Sequence, residues 1–149
     1  GSKAGLIAAV VDDFYDRYDA ETMVGNPRPG ANWATRERAR LEAMVHFMFR
    51  EPLASTVLFR LAREPQVAAT EASRIARHVA LSAANIAGGQ KRGEIPRDID
   101  ASLAGAMVIG GIRFALGKAL EQKPRPNEAR VARRIWGFIE RILALPRRG

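Results

Sequence analysis

A chain of 149 residues, 47% hydrophobic and 7% aromatic, is long enough for one buried core and too short for two ordinary domains. It holds no cysteine, which excludes disulfides, thiolate metal sites and a cysteine nucleophile and fits a reducing, cytoplasmic setting. Net charge is +8 but only partly gathered: nine Lys and Arg face three Glu from Lys118 to Gly149, and two basic face five acidic residues from Gly1 to Glu21. Without a base-reading motif, solvated faces on amphipathic helices account for that distribution. No run of about 20 uncharged apolar residues suggests a membrane span, and the start lacks a signal peptide's basic region and apolar run.

Helical periodicity runs through nearly the whole chain, so the expected class is all-α, a bundle of about six helices. The first spans about Ser2 to Met23. Leu6, Ile7, Val10, Val11, Phe14 and Tyr18 form its apolar stripe, and Asp12, Asp16 and Asp19 form an acidic row expected to face solvent, with no matching basic set elsewhere. "GNPRPGAN" breaks it. The second helix is expected from Thr35, as N-cap, to Glu51, where Pro52 stops it. Within it "LEAMVHFMF", Leu41 to Phe49, is apolar nearly all round and belongs at the centre. Met44, Phe47 and Met48, with Phe59 from a short third helix (Leu53 to Arg63), are soft walls suited to an apolar pocket, although plain core is the commoner role of such residues.

Pro65 is expected at position N1 of the fourth helix, which Gly88 and Gly89 would terminate. His78, Ser82 and Asn85 make a polar strip on it that points either into a pocket or to water. Asp100 is expected to cap the fifth helix, "ASLAGAMVIGGIRFALGKALEQ". That helix carries Leu103, Met107 and Phe114 on one side and the small residues Gly111, Ala115 and Ala119 on another, a spacing that lets a partner backbone come close. Arg113 is expected to snorkel at a rim rather than to pair with a ligand carboxylate. The sixth helix, Glu128 to about Leu145, has two apolar stripes: Val131, Ile135, Phe138, Ile142 and Leu145, and beside them Trp136, Ile139 and Leu143. A face that wide suits two neighbours, one of them in a second copy.

From these patterns the candidate ligand-binding residues are Phe14, Met44, Phe47, Met48, Phe59, His78, Ser82, Met107 and Phe114. The candidate dimer interface is Gly111, Ala115, Ala119, Ile135, Phe138 and Ile142. No metal site is expected, since His46 and His78 lack further ligands at suitable spacing. No cofactor motif and no nucleophile–base set is present, so neither a cofactor nor an enzyme is expected.

Two stretches resemble a known family. "GQKRGEIPRDIDASLAGAMVIGG", Gly89 to Gly111, is similar to the segment of TetR-type transcriptional regulators in which Gly-x-x-x-Gly-Glu-Ile precedes an Asp and an alanine-rich helix. "GSKAGLIAAVV", Gly1 to Val11, resembles the turn that opens that family's long connecting helix. The resemblance implies a single ligand-binding and dimerisation domain over 1–149. Residues 1–23 would be the connecting helix, and 100–145 the helices that build a four-helix bundle with a second copy. Gly1 and Ser2 would be native residues or at least coincide with them, DNA would be met only through an N-terminal helix-turn-helix domain not in this chain, and a small apolar or aromatic effector would modulate that contact. No membrane contact is implied. A stand-alone basic module holding nucleic acid non-specifically is the alternative.

Overall fold

Side-chain caps set where the helices begin. In the computed structural model, which describes residues 1–146 apart from the Ala62 side chain, α1 (Lys3–Thr22) opens on Ser2, whose Oγ accepts the Gly5 N–H at 3.0 Å. α2 (Trp33–Arg50) opens on Asn32, which accepts the Thr35 N–H at 2.9 Å. Thr35, expected as the cap, is thus the third residue of the helix; the more N-terminal amide oxygen takes its N–H first. α3 (Pro65–Lys91) has Pro65 in its first turn, as expected. α4 (Ala101–Glu121) is capped by Asp100, also as expected, and α5 (Glu128–Ile142) by Asn127.

Three further boundaries differ from expectation. Leu53 to Arg63 is not an ordinary α-helix: Thr56–Arg60 winds as a π-helix and Leu61–Arg63 as a 3₁₀ turn, and the Phe59 ring lies where a Cβ on Gly117 would fall, 2.7 Å from Phe59 Cζ. α3 runs straight through Gly88 and Gly89 and ends two residues later. Gly89 is there for space, because a Cβ would sit 2.8 Å from Ile95 Cδ1 and 3.0 Å from Trp33 Cδ1. The real stop is Gly93, at φ +74, with its N–H on the Gln90 carbonyl and the Glu94 N–H on Gly89. α5 ends at Ile142 in the same paired pattern: Ala144 donates to Arg141 and Leu145 to Glu140, but the left-handed residue, at φ 49, is an alanine.

α3 and α4 form the most extensive helix pair. They meet closely at Gly105, where a Cβ would come within 2.8 Å of the Ala83 backbone nitrogen. α1 packs on α2 and α3, and α5 packs on α2 and α4. The core fills the space between them, with edge-on aromatic pairs at 5.3–5.4 Å joining Phe14 to Tyr15, Phe14 to Phe47 and Tyr18 to Phe47. Each such pair contributes about 1 kcal/mol beyond its buried area. Contrary to the expectation from the sequence, α4 is long and apolar enough to cross a bilayer by length and composition. Half of it is buried, and its apolarity serves two faces at once, one packed inward and one open.

Candidate functional site

α2, α3, α4 and α5 enclose a cavity of about 40 Å³. Trp33 from α2 and Trp136 from α5 stack along one wall, ring centroids 6.3 Å apart and planes inclined by 28°. Leu41, Met44, Ile86, Ile109, Ile112 and Ile139 supply most of the remaining apolar surface. Trp33 is fixed at both ends: its Nε1–H donates to the Asn85 carbonyl at 3.0 Å and its backbone N–H to Glu94 Oε1 at 2.8 Å. Burial works against the Glu94 charge, but the Trp33 N–H and Arg92 outweigh it and hold the carboxyl below its usual range.

Four polar residues join this apolar lining: Glu37, Arg40, Ser82 and Asn85. Arg40 spends its donors on Glu37 Oε2 (3.0 Å), the Thr22 carbonyl (2.7 Å) and the Gly25 carbonyl (2.9 Å), tying the end of α1 to α2. Burial pushes the Glu37 carboxyl above its usual range, with Arg40 only partly offsetting it. A few polar groups converging on an apolar cavity is the usual make-up of a small-molecule site. The volume is modest, since an engineered apolar cavity of about 150 Å³ is what takes up benzene.

A buried polar network joins α1 to α3 and α4. Tyr15 Oη donates to Glu71 Oε1 at 2.6 Å, and Arg113 donates to the same oxygen at 2.7 Å and to the Tyr15 hydroxyl at 3.2 Å. One helical turn along α1, Asp19 accepts from His78 Nε2 at 2.6 Å and from Arg74 at 3.2 Å; Arg74 also donates to Asp16 at 2.7 Å and Asp12 at 3.3 Å. Burial lowers the His78 pKa, Asp19 opposes that, and Arg113 and Arg77 add to it. Burial also pushes the Tyr18 hydroxyl up to about 12. The acidic row on α1 therefore does have a basic partner, Arg74. Arg113 does not snorkel at a rim but pairs inward with Glu71, whose side chain is nearly buried.

Elsewhere on the protomer, α4 and α5 present an exposed apolar face. Leu103 (65% exposed), Met107 (60%) and Phe114 (86%) line α4, and Phe138 (67%) and Ile142 stand on α5. Lys118, Arg130 and Arg134 border the groove between the two helices.

Of the nine candidate ligand-binding residues, Met44 and Ser82 line the cavity. Phe14, Phe47 and Met48 are core, and His78 is bound to Asp19. Phe59 packs on Gly117, at an open depression between the π segment and the end of α4. Met107 and Phe114 project to the outside, because the inward face of α4 is the one bearing Ile109 and Ile112; they belong to the open face rather than to the cavity. Among the candidate interface residues, Phe138, Ile142 and Gly111 are exposed and Ala115 is half-buried, whereas Ala119 and Ile135 are buried within the protomer. A Cβ placed on Gly111 would meet nothing of its own protomer within 4 Å, and the close backbone approach within the protomer is at Gly105. Trp33, Glu37 and Arg40 are cavity residues that the sequence patterns did not single out; the i, i+3 acid–base spacing was the available signal.

No protein-family model and no curated protein sequence matches the chain. Solved structures do. One, assigned to the TetR family of transcriptional regulators and coming from Rhodococcus sp., aligns with TM-score 0.66 and 19% identity over 95% of this chain and 76% of its own. A transcriptional regulator of the TetR/AcrR family from Thermobifida fusca aligns with TM-score 0.61 and 19% identity over 97% and 73%. The chain thus has the fold of these regulators.

Proposed function

We propose that this chain is the effector-sensing and dimerising part of a TetR-like transcriptional repressor, acting on DNA through a further, N-terminal domain of the same regulator. In this reading α1 is the connecting helix, α4 and α5 pair with a second copy to form a four-helix bundle, and a small apolar or aromatic molecule enters among α2 to α5. The single observation that carries it is the open apolar face. Leaving Phe114 and Phe138 in water forgoes about 2 kcal/mol apiece relative to burial, and both stand on adjacent helices with Leu103, Met107 and Ile142. The fold shared with TetR-family structures supports the same reading.

Sedimentation at micromolar concentration tests it: the native chain is expected as a dimer, and Phe138→Glu as a folded monomer with unchanged far-ultraviolet circular dichroism. A native chain that remains monomeric at that concentration overturns the reading. The basic residues of α5 favour a second one, a module that holds nucleic acid non-specifically. Arg130, Arg133 and Arg134 are exposed, and none has an ion-pair partner among the described residues.

A further inference from the structure

The cavity bounded by Trp33 and Trp136 has a polarity that restricts what can enter it. Its acid, Glu37, spends one oxygen on Arg40; its Oε1 takes no hydrogen bond from the described residues, although the side chain is only 15% exposed. A carboxylate oxygen can only accept, and Oε1, which keeps some contact with solvent, is open to a donor. The Ser82 hydroxyl, also at the cavity, makes no hydrogen bond within the described protein either.

Charge is constrained from both sides. Arg40 already neutralises Glu37, and each of its three nitrogens is engaged, Nε on Glu37 and the two Nη on the Thr22 and Gly25 carbonyls. An incoming carboxylate would meet Glu37 beside a guanidinium whose charge is already matched. An incoming ammonium would meet Arg40 and lose its hydration in an apolar site, at a cost of several kcal/mol. A neutral molecule suffers neither penalty. Shape adds a third restriction: the two indoles offer flat faces, while the volume of about 40 Å³ leaves room for one ring at most, and only after the lining gives way, with Met44 the most adaptable wall.

From these observations we infer that the cavity takes a compact, uncharged aromatic molecule with one hydrogen-bond donor, its ring against Trp33 and Trp136 and its donor on Glu37 Oε1. The inference rests on the effector-binding reading above and narrows its chemistry.

Phenol, toluene, benzoate and benzylammonium separate the possibilities. The chain has two tryptophans, Trp33 and Trp136, and both line the cavity, so emission excited at their red edge reports directly on its occupation. Phenol is expected to shift that emission at concentrations at least tenfold below those needed with toluene, benzoate or benzylammonium. Glu37→Gln, which keeps the size of the side chain and an acceptor for Arg40, is expected to weaken phenol several-fold and leave toluene unchanged. If toluene or either ion matches phenol, or if the substitution leaves phenol unaffected, the assigned chemistry is wrong while the cavity stands as a site. If none of the four perturbs the tryptophans at millimolar concentration, the cavity is not the effector site, and the broader reading fails there as well.

Discussion

Two helix ends of the same design differ in one residue and supply an internal control. α3 places glycine at its left-handed position, Gly93 at φ +74, while α5 places alanine there, Ala144 at φ 49. A left-handed L-residue costs about 1–2 kcal/mol, and a Cβ on Gly93 would meet nothing within 4 Å, so no steric term confuses the comparison. Gly93→Ala is therefore expected to lower the urea-unfolding free energy by about 1 kcal/mol. Ala144→Gly should raise it by a smaller amount, since glycine's freedom in the unfolded chain offsets part of the gain. At His78 the prediction concerns pH. Burial holds its pKa below the ordinary value of about 6.5, so between those two values the unfolded chain binds a proton that the folded chain refuses. Stability should therefore fall as pH drops from about 6.5 through that window. His78→Asn, which can still donate to Asp19, should flatten the slope there; indistinguishable urea midpoints across the window for the two proteins would refute it. The exposed His46 is common to both and cancels.

At the level of elements, α1 is held by charge as much as by hydrocarbon. Glu71 is 7% exposed and carries both Tyr15 and Arg113, so truncating one partner leaves a buried charge. Arg113→Met is expected to cost about 3 kcal/mol or more, and adding Glu71→Leu to restore much of it. A urea-unfolding cycle of the two single variants and the double variant measures this, and strictly additive losses would show that the pair is not coupled. The same network shows where sequence reading stops. Asp100, Pro65 and the helix order were legible because caps and apolar periods are local. The partner of the acidic row was not: Arg74 lies 58 residues from Asp16, and nothing in a linear spacing joins them. Gly89 read as a stop because glycine after a helix usually is one; its reason, the nearness of Trp33 and Ile95, appears only once α2 and the following loop have packed. Likewise Phe114 read as pocket wall because aromatic content alone does not say which side of α4 faces in. Most of the cavity lining was missed for the same cause, since Glu37 and Trp33 gain meaning only from what stands opposite.

For the molecule as a whole, charge and hydrocarbon oppose each other on one face, and that opposition distinguishes the two functional readings. Phe114 and Phe138 favour association with a second copy, while Lys118, Arg130 and Arg134 beside them would bring like charges together in any two-fold contact. Each chain also carries a net charge of +8. Raising sodium chloride from about 0.1 M to about 1 M shortens the screening length from about 10 Å to about 3 Å, which weakens the repulsion and leaves the apolar contact intact. The dimer dissociation constant should consequently fall with salt, by up to about tenfold if the repulsion amounts to about 1.4 kcal/mol. Retention of duplex DNA by the same arginines has the opposite dependence, because each phosphate neutralised releases a counterion and affinity drops steeply as salt rises. One salt series followed by sedimentation, with and without a short duplex, therefore reads both processes in a single protein. Self-association that strengthens with salt assigns the face to a second copy; a chain that stays monomeric across the series while its DNA binding weakens with salt assigns the arginines to nucleic acid and removes the main physical support for the dimer.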